Sequence, residues 1–324
     1  MRQQLNGIHH ITALAADAQR NAEFYTSILG MRLIKKTVNF DAPDVYHLYY
    51  GDNRGTPGTL LTFFPFPRAA RGERGAGEAS SISFLLPTKG LDYWIHHLSS
   101  NNVQFDVSDA DSQRVRIALR DPDGLKIQLE FENSNESIDP WVGSLIPTEY
   151  AIRRFSGLTL SVHDLKPTVG FLTTIMRFSR VDADDNSQRF DTQSDHPVLI
   201  TVHEDPSNGH ARMGTGSVHH IAWRITDTDL QEEWRAAIKN SGTRVTDIVD
   251  RRYFKSIYFH EPGGTLFEIA TDGPGFLIDE SPESLGRELM LPSWLESSRT
   301  RIETRLPPLE LPNHAETTRI QSLS

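Results

Sequence analysis

Four segments of this 324-residue chain share one pattern, an apolar strand followed by a helix and then by further strands that end near a turn. They begin with GIHHITALAAD, SSISFLLP, FSGLTLSVHD and SVHHIAWRITD, and we number them modules one to four in chain order. Modules two and four close most alike, with RDPDGLKIQLEF and FHEPGGTLFEIATD, each of which carries a proline-containing turn before its last strand. The repeat predicts four β-α-β-β-β modules and an α+β fold.

The boundaries between modules fall in polar or glycine-rich stretches, and they divide the chain into three parts. Residues 1–135 hold modules one and two and are predicted to form an N-terminal domain. Residues 152–274 hold modules three and four and are predicted to form a C-terminal domain. The remaining segment, 275–324, is rich in proline and predicts a tail with a short helix and an extended wrap.

The chain contains no cysteine, which excludes disulfides, Cys-ligated zinc, iron–sulfur clusters and thiol nucleophiles. Any metal must therefore be held by histidine, carboxylate or other oxygen ligands. The net charge of −10 argues against a nucleic-acid partner. No run approaches the ~20 apolar residues that span a bilayer, and the N-terminal sequence MRQQLNGIHH lacks the features of a secretion signal, so we expect a cytoplasmic protein without a membrane partner.

Equivalent positions of the repeat can be compared, because each module offers one ligand position in its first strand and one in its last. The first-strand positions of modules one to four hold His10, Ser81, Gly157 and His220. The last-strand positions, counted from the turn glycine, hold Thr62, Gln128 and Glu268 in modules one, two and four, whereas module three cannot be aligned. The ligand-capable set is two imidazoles and one carboxylate, which as a facial triad binds Fe(II) and leaves about three of six positions open.

A single histidine at the start of a strand is more often a hydrogen-bonded core or surface residue than a ligand. Here two His-His pairs stand at equivalent positions, and Glu268 lies between apolar neighbours. A carboxylate in such a strand costs several kcal/mol to desolvate without a cation or donor, so the pattern favours a metal site. Strand alternation places His9 and His219 on the face opposite His10 and His220, where they could be exposed.

The modules, with a histidine in the first strand and EPGGTLFE at the last, resemble the vicinal oxygen chelate superfamily over residues 7–272. The sequences GIHHITALA, LTFFPFP, VHHIAWR and LPSWLE are similar to the ring-cleaving dioxygenases that act on hydroquinones. The resemblance implies two curved-sheet domains and an Fe(II)-dependent, extradiol-type cleavage of a hydroquinone- or catechol-like ring by O2. Fe(II) is the expected cofactor, with Mn(II) as the alternative. A small aromatic substrate and O2 are the expected partners, and a homo-oligomer is left open.

The resemblance also implies which histidine moves protons. The family places the neighbours of the ligand histidines near the substrate pocket, where a strand bulge or twist could turn them inward. His219 or His9 is therefore the expected acid/base, since the pKa of an imidazole suits proton transfer near neutrality.

Three further residues stand where the family keeps polar groups around the metal. Tyr258 and Arg251 are expected to donate hydrogen bonds to a substrate phenolate or to oxygen, with Arg252 as an alternative to Arg251. Thr12 lies two residues beyond the ligand histidine on the same strand face. Without the family, a tyrosine in a strand is commonly a packing residue, and Arg251-Arg252 is an ordinary turn pair.

The remaining nine histidines have no position supported by the repeat, and we expect them to be structural or surface residues. They are His47, His96, His97, His163, His196, His203, His210, His260 and His314.

Two other functions are compatible with the same fold. A glyoxalase-like isomerase or lyase normally needs four protein ligands, and the fourth would fall at Thr62 if module one pairs with module four. A metal-free small-molecule binding protein would have no use for the aligned His10, His220 and Glu268. Oxygen uptake on adding a hydroquinone separates the three functions.

Overall fold

The computed structural model describes residues 4–109, 114–133, 139–207 and 209–311. Within these ranges the chain forms sixteen strands and five α-helices. The strands are β1 (Ile8–Ala15), β2 (Arg32–Asn39), β3 (Ala42–Gly51), β4 (Leu60–Pro65), β5 (Glu78–Pro87), β6 (Phe105–Asp109), β7 (Val115–Arg120), β8 (Lys126–Glu132), β9 (Arg154–Val162), β10 (Ser179–Ala183), β11 (Ser187–Asp191), β12 (Leu199–Glu204), β13 (Val218–Ile225), β14 (Val249–Asp250), β15 (Lys255–His260) and β16 (Leu266–Thr271). The helices are α1 (Ala18–Glu23), α2 (Leu91–Ser100), α3 (Leu165–Thr174), α4 (Thr228–Asn240) and α5 (Arg299–Arg305).

Each module supplies four strands and one helix in the predicted β-α-β-β-β order, and the α+β class is confirmed. The strands form two eight-stranded sheets. The first has the order β14-β15-β16-β13-β1-β4-β3-β2 and the second has the order β10-β11-β12-β9-β5-β8-β7-β6. The first sheet therefore joins modules one and four, and the second joins modules two and three.

This pairing differs from the one that the two predicted domains imply. The segments 1–135 and 152–274 each give one module to each sheet, so the two modules of one predicted domain do not share a sheet. The boundary at residue 135 lies outside the described residues, and the segment limits stay a prediction. The pairing of modules one and four brings the two His-His pairs together, because β1 and β13, which carry them, lie next to each other.

Three of the four module helices begin with the same device. Asp17, Asp164 and Asp227 are the N-cap residues of α1, α3 and α4, and each side chain accepts a hydrogen bond from a backbone N–H of the first turn. A cap of this kind satisfies an N–H that has no partner within the helix. The helices then bury an apolar face, exemplified by Trp234 and Ile238 of α4.

The turns before β8 and β16 tie the two sheets together. Asp121 accepts hydrogen bonds from two backbone N–H groups of its own turn and from the hydroxyl of Tyr25, which belongs to module one. Glu261 holds the equivalent turn of module four and accepts from Thr168 of module three. Each turn carboxylate thus supports its own sheet and an element of the other.

The tail packs along the outer strands of module one. Lys35 of β2 is buried and forms ion pairs with Asp279 and Glu280 of the tail. Further along, Ile302 of α5 is 1% exposed and belongs to the main apolar core. The predicted short helix is therefore present, and it is anchored. Within the described ranges, no helix has both the length and the apolar character needed to cross a membrane.

Candidate metal centre

The three residues predicted from the repeat converge in the middle of the first sheet. Nε2 of His10 lies 3.2 Å from Nε2 of His220, and Oε2 of Glu268 lies 3.4 Å and 3.0 Å from these two nitrogens. The residues come from β1, β13 and β16, and β13 lies between the other two strands. Adjacency in one sheet brings together groups that are far apart in sequence, and all three side chains are buried.

Glu268 fits a cation. Its Oε1 accepts a hydrogen bond from Ser256, whereas its buried Oε2 faces the Nε2 atoms of His10 and His220. Burial alone would raise the pKa of Glu268, but His10 and His220 hold that pKa well below its usual range. When these nitrogens carry no proton, the buried Oε2 has no donor, which is costly, and a metal ion between it and the two imidazoles would compensate it. The donor set therefore fits a divalent metal.

Two bulges bring the neighbouring histidines into the same region. The antiparallel register between β1 and β13 shifts between Ile8 and His10, which is where His9 stands. It shifts again opposite the step from Thr12 to Ala13, where the facing strand carries His219. A bulge adds an unpaired residue and re-aims its side chain. The face expected from simple alternation is therefore wrong for both histidines, and His9 is 2% exposed.

Each neighbour contacts the ligand histidine beside it through one nitrogen. Nδ1 of His9 lies 2.9 Å from Nδ1 of His10, and Nδ1 of His219 lies 2.7 Å from Nδ1 of His220. A neutral imidazole that binds metal through Nε2 carries its proton on Nδ1. His10 and His220 must then donate to their neighbours, which leaves the protons of His9 and His219 on Nε2.

The two neighbours differ in what surrounds them. His9 is buried, hydrogen-bonded to the backbone of Thr271, and its pKa is lowered well below the usual value, first by burial and then by His10. His219 instead lines the cavity at the site. Burial and the adjacent His220 lower the pKa of His219 to about 3, so its ring is neutral near pH 7.

A cavity of about 340 Å³ opens beside the ligands. His10, His220 and His219 line it together with aromatic rings such as Phe254 and Phe64. A cavity of about 150 Å³ is enough for benzene, so this one accommodates a single substituted aromatic ring and a small second reactant.

Tyr258 and Arg251 stand together on one side of the cavity. Nε of Arg251 donates to the hydroxyl of Tyr258 at 3.0 Å, and its Nη1 pairs with Asp41 at 3.0 Å. Burial, reinforced by Glu268, raises the pKa of Tyr258, so the phenol keeps its proton. Arg252 points elsewhere and donates to Asp279 of the tail at 2.8 Å.

Thr12 is fully buried, and its hydroxyl lies 2.8 Å from that of Thr62. The strand registers show that Thr62 is the module-one equivalent of Glu268. Thr62 pairs with the residue two after His10, and Glu268 pairs with the residue two after His220. The same rule assigns the position that could not be aligned in module three to Thr201, which pairs with Thr159. Neither threonine supplies a carboxylate.

Two residues at the site were not found from the sequence. His47, which was expected to be structural or on the surface, lines the cavity. Its Nε2 lies 2.9 Å from the Thr62 hydroxyl and its Nδ1 lies 2.8 Å from the Tyr49 hydroxyl. The repeat gives no signal for Ser256, the donor to Glu268. His314 lies outside the described residues.

Several known proteins are similar to this chain. The family model described as Glyoxalase/Bleomycin resistance protein/Dioxygenase superfamily matches residues 7–129 and 154–269. A protein of Bacillus subtilis (strain 168) that bears the provisional name ring-cleaving dioxygenase MhqO is 39% identical, over 96% of this chain and 99% of its own. The chlorohydroquinone/hydroquinone 1,2-dioxygenase of Sphingobium indicum is 34% identical, over 93% of this chain and 95% of its own.

A solved structure is also similar along the whole chain. The crystal structure of a protein from Bacillus subtilis subsp. subtilis str. 168, provisionally described as a dioxygenase, superimposes with a TM-score of 0.91 at 39% identity. The superposition covers 96% of this chain and 99% of the other. The chain therefore belongs to the Glyoxalase/Bleomycin resistance protein/Dioxygenase superfamily, and within it to the ring-cleaving dioxygenases that these relatives represent.

Proposed function

We propose that the protein is an Fe(II)-dependent, extradiol-type dioxygenase that cleaves a hydroquinone- or catechol-like ring with O2. The observation that carries the proposal is the buried cluster of His10, His220 and Glu268 beside a cavity large enough for one aromatic ring. Ring-cleaving relatives at 34% and 39% identity, one of them named for hydroquinone and chlorohydroquinone, support the substrate class.

The number of ligands favours this reaction over a glyoxalase-like isomerisation. A four-ligand site would need a carboxylate at Thr62, whose hydroxyl is already engaged by Thr12 and His47. Three protein ligands leave open positions, and open positions are what a phenolic substrate and O2 require. When bound at these residues, Fe(II) supplies the electron transfer between an aromatic ring and oxygen that no side chain can supply.

The protein's own groups have separable tasks in this proposal. His219 is the proposed acid/base, because its ring lines the cavity beside the cluster of His10, His220 and Glu268. His9, which is absent from the cavity wall among the described residues, instead holds the tautomer of His10. Tyr258, oriented by Arg251, donates a hydrogen bond where negative charge develops on oxygen.

Oxygen consumption tests the proposal. The protein is loaded with Fe(II) without oxygen and mixed with hydroquinone or catechol in an oxygen electrode, and the product is analysed by mass spectrometry. We expect one O2 consumed for each ring opened, with both oxygen atoms in the product. His220→Ala, which removes one imidazole ligand, is the matched control and should bind little iron. Turnover without oxygen uptake, or equal turnover by the metal-free protein, would contradict the proposal. Parallel loading with Mn(II) decides between the two metals.

A further inference from the structure

The first sheet contains two copies of the strand pair beneath the site. In module four, Tyr258 of β15 pairs with Glu268 of β16. In module one, Tyr49 of β3 pairs with Thr62 of β4 in the same antiparallel way. The tyrosines are therefore equivalent, and so are the residues at the last-strand ligand position.

The residue two before each tyrosine contacts that ligand position. In module four it is Ser256, whose hydroxyl donates to Glu268. In module one it is His47, whose Nε2 lies 2.9 Å from the hydroxyl of Thr62. Module one, which has no carboxylate at this position, thus carries a small hydroxyl where module four has Glu268, and a large ring where module four has a serine.

Contacts of both nitrogens and of the ring itself fix the orientation of the His47 side chain. Nε2 is engaged by Thr62, and Nδ1 lies 2.8 Å from the hydroxyl of Tyr49. The ring centroid lies 4.0 Å from that of Tyr49 and 4.3 Å from that of Phe64. Because the protein uses both nitrogens, His47 cannot offer a hydrogen bond to a ligand without breaking one of these contacts.

His47 and its partner Tyr49 both line the cavity, and His47 is the more exposed of the two, since Tyr49 is only 1% exposed. Because both nitrogens of His47 are engaged by the protein, its ring carbons are the part left to contact a ligand. His47 therefore acts as an aromatic wall that faces the ligand cluster from module one. An aromatic ligand bound in this cavity has module-four groups on one side and this wall on the other.

We propose that His47 is a specificity-determining residue, whose ring carbons limit the size of the substituent that an aromatic substrate can carry on the side facing module one. This inference rests on the proposed function and names a property of the same cavity. The physical basis is steric, because a fixed ring cannot move aside without losing two hydrogen bonds and two ring contacts. Differences of one methylene in such a wall are worth about 10- to 200-fold in selectivity.

The test compares hydroquinone with tert-butylhydroquinone in five proteins. In the wild type, the unsubstituted ring should be favoured. In His47→Ala, the ratio of kcat/KM for tert-butylhydroquinone over hydroquinone should rise by at least ~10-fold. Dissociation constants of both compounds from the iron-loaded protein, measured by calorimetry without oxygen, should shift in the same direction. Iron content should not change, since His47 is no ligand.

Two variants of His47 distinguish the effect of its ring from the effect of its hydrogen bonds. A third variant, at another position, controls for the loss of a histidine. His47→Gln keeps an amide that can reach Thr62 and Tyr49 but removes the ring, so it should behave like His47→Ala even if the alanine variant folds poorly. His47→Phe keeps a ring and should retain the wild-type ratio. His97→Ala removes a half-buried histidine on α2, bonded to the carbonyl of Ile28, and should change nothing.

Unchanged ratios of the dissociation constants in both His47→Ala and His47→Gln would overturn the inference. A phenylalanine variant that loses selectivity as fully as the alanine variant would also overturn it, because the hydrogen bonds would then set the preference. If the wild type neither binds nor cleaves either hydroquinone, the proposed function itself is wrong. The two failures are thus distinguishable.

Discussion

At the scale of single residues, the histidines of each His-His pair have unequal roles although they are adjacent in sequence. His10 and His220 point Nε2 at Glu268, and each uses Nδ1 to contact its neighbour. Partners of this kind fix the tautomer and ring orientation of a ligand histidine. Under the proposed function, loss of His219 would consequently disturb a proton carrier and a metal ligand at once, whereas loss of His9 would disturb a metal ligand alone.

Ser256→Ala tests support of the carboxylate. The change removes the one hydrogen bond to Oε1 of Glu268 and leaves the carboxylate itself in place. Metal affinity should fall by about 10- to 100-fold, the usual effect of removing a group that orients a ligand. Competition with a calibrated chelator measures it. Ser99→Ala, which removes a serine hydroxyl from exposed helix surface, should leave the affinity unchanged. Equal affinities in both variants would show that the Ser256 contact does not matter.

Tyr258→Phe tests charge stabilisation apart from metal binding. The change deletes one hydroxyl, the acceptor of the Arg251 hydrogen bond, at nearly constant volume. Iron content and fold should persist, while kcat falls by up to ~10²-fold if the hydroxyl stabilises negative charge during ring attack. Steady-state kinetics on the iron-replete variant decides. Thr12→Val serves for comparison, since it deletes a buried hydroxyl at similar volume. An unchanged rate in Tyr258→Phe would reduce the tyrosine to a packing role.

The sequence predicted the cluster of His10, His220 and Glu268 because a repeat allows equivalent positions to be compared. The same comparison did not identify His47 or Ser256. Both are placed by the register of a hairpin, and the loop between β3 and β4 is longer than the loop between β15 and β16, so their equivalence is hidden in the sequence. His47 and Ser256 therefore occupy equivalent positions in the sheet but do not align in the sequence. The binding chemistry does not constrain the turn length that causes this difference.

At the scale of elements, the helices were easier to predict than the details of the strands. An Asp N-cap after the first strand recurs in modules one, three and four and is visible in the sequence. The bulges at His9 and His219 are not, because a bulge depends on the partner strand, and here that strand lies about 210 residues away along the chain. Alternation within one strand predicts the wrong face wherever such a bulge occurs.

The turn before β8 gives a prediction for pH dependence. Burial raises the pKa of Asp121 from its usual value to about 6. The folded state therefore binds this proton more tightly than the unfolded state, so the contribution to stability is full below about pH 4 and is lost as the pH rises towards 6. Asp121→Asn resembles the protonated form and should remove this dependence.

Denaturant unfolding at pH 4.5, 5.5 and 7 measures the effect. The difference in unfolding free energy between wild type and Asp121→Asn should change by about 2 kcal/mol over this range, since each unit of pKa shift corresponds to about 1.4 kcal/mol and part of the effect lies below pH 4.5. The variant gains relative to the wild type as the pH rises. Parallel pH profiles for the two proteins would contradict the assignment. The amide can still accept from the backbone N–H groups of Asp123 and Leu125.

At the scale of the whole molecule, the tail is an integral part of the first sheet's surroundings. Its carboxylates neutralise the buried Lys35, the N–H of Met290 donates to the carbonyl of Lys36, and the hydroxyl of Tyr46 donates to the carbonyl of Pro307. These contacts follow β2 and β3, the strands whose hairpin carries Asp41 to the mouth of the cavity. The tail thereby supports one wall of the site from outside.

Lys35→Met tests how much this support contributes. The change leaves the carboxylate of Glu280 buried without its cation, and breaking a buried ion pair in this way costs about 3–5 kcal/mol. Denaturant unfolding should show the loss, and limited proteolysis should cut the tail sooner. In Lys35→Met/Glu280→Gln the unpaired charge is gone, so at least half of the stability should return. A single variant as stable as the wild type would mean that the tail is held by its apolar contacts alone.

The pairing of the modules determines which sheet can be completed first during synthesis. Modules two and three are contiguous, so the second sheet has all its strands once residue 204 has been made. The first sheet is formed by modules one and four, which are far apart along the chain. Until β13 has been synthesised, one hydrogen-bonding edge of β1 has no partner strand. A nascent chain that ends before module four contains His10 but lacks His220 and Glu268. Under the proposed function, metal capture consequently has to wait until module four has been synthesised.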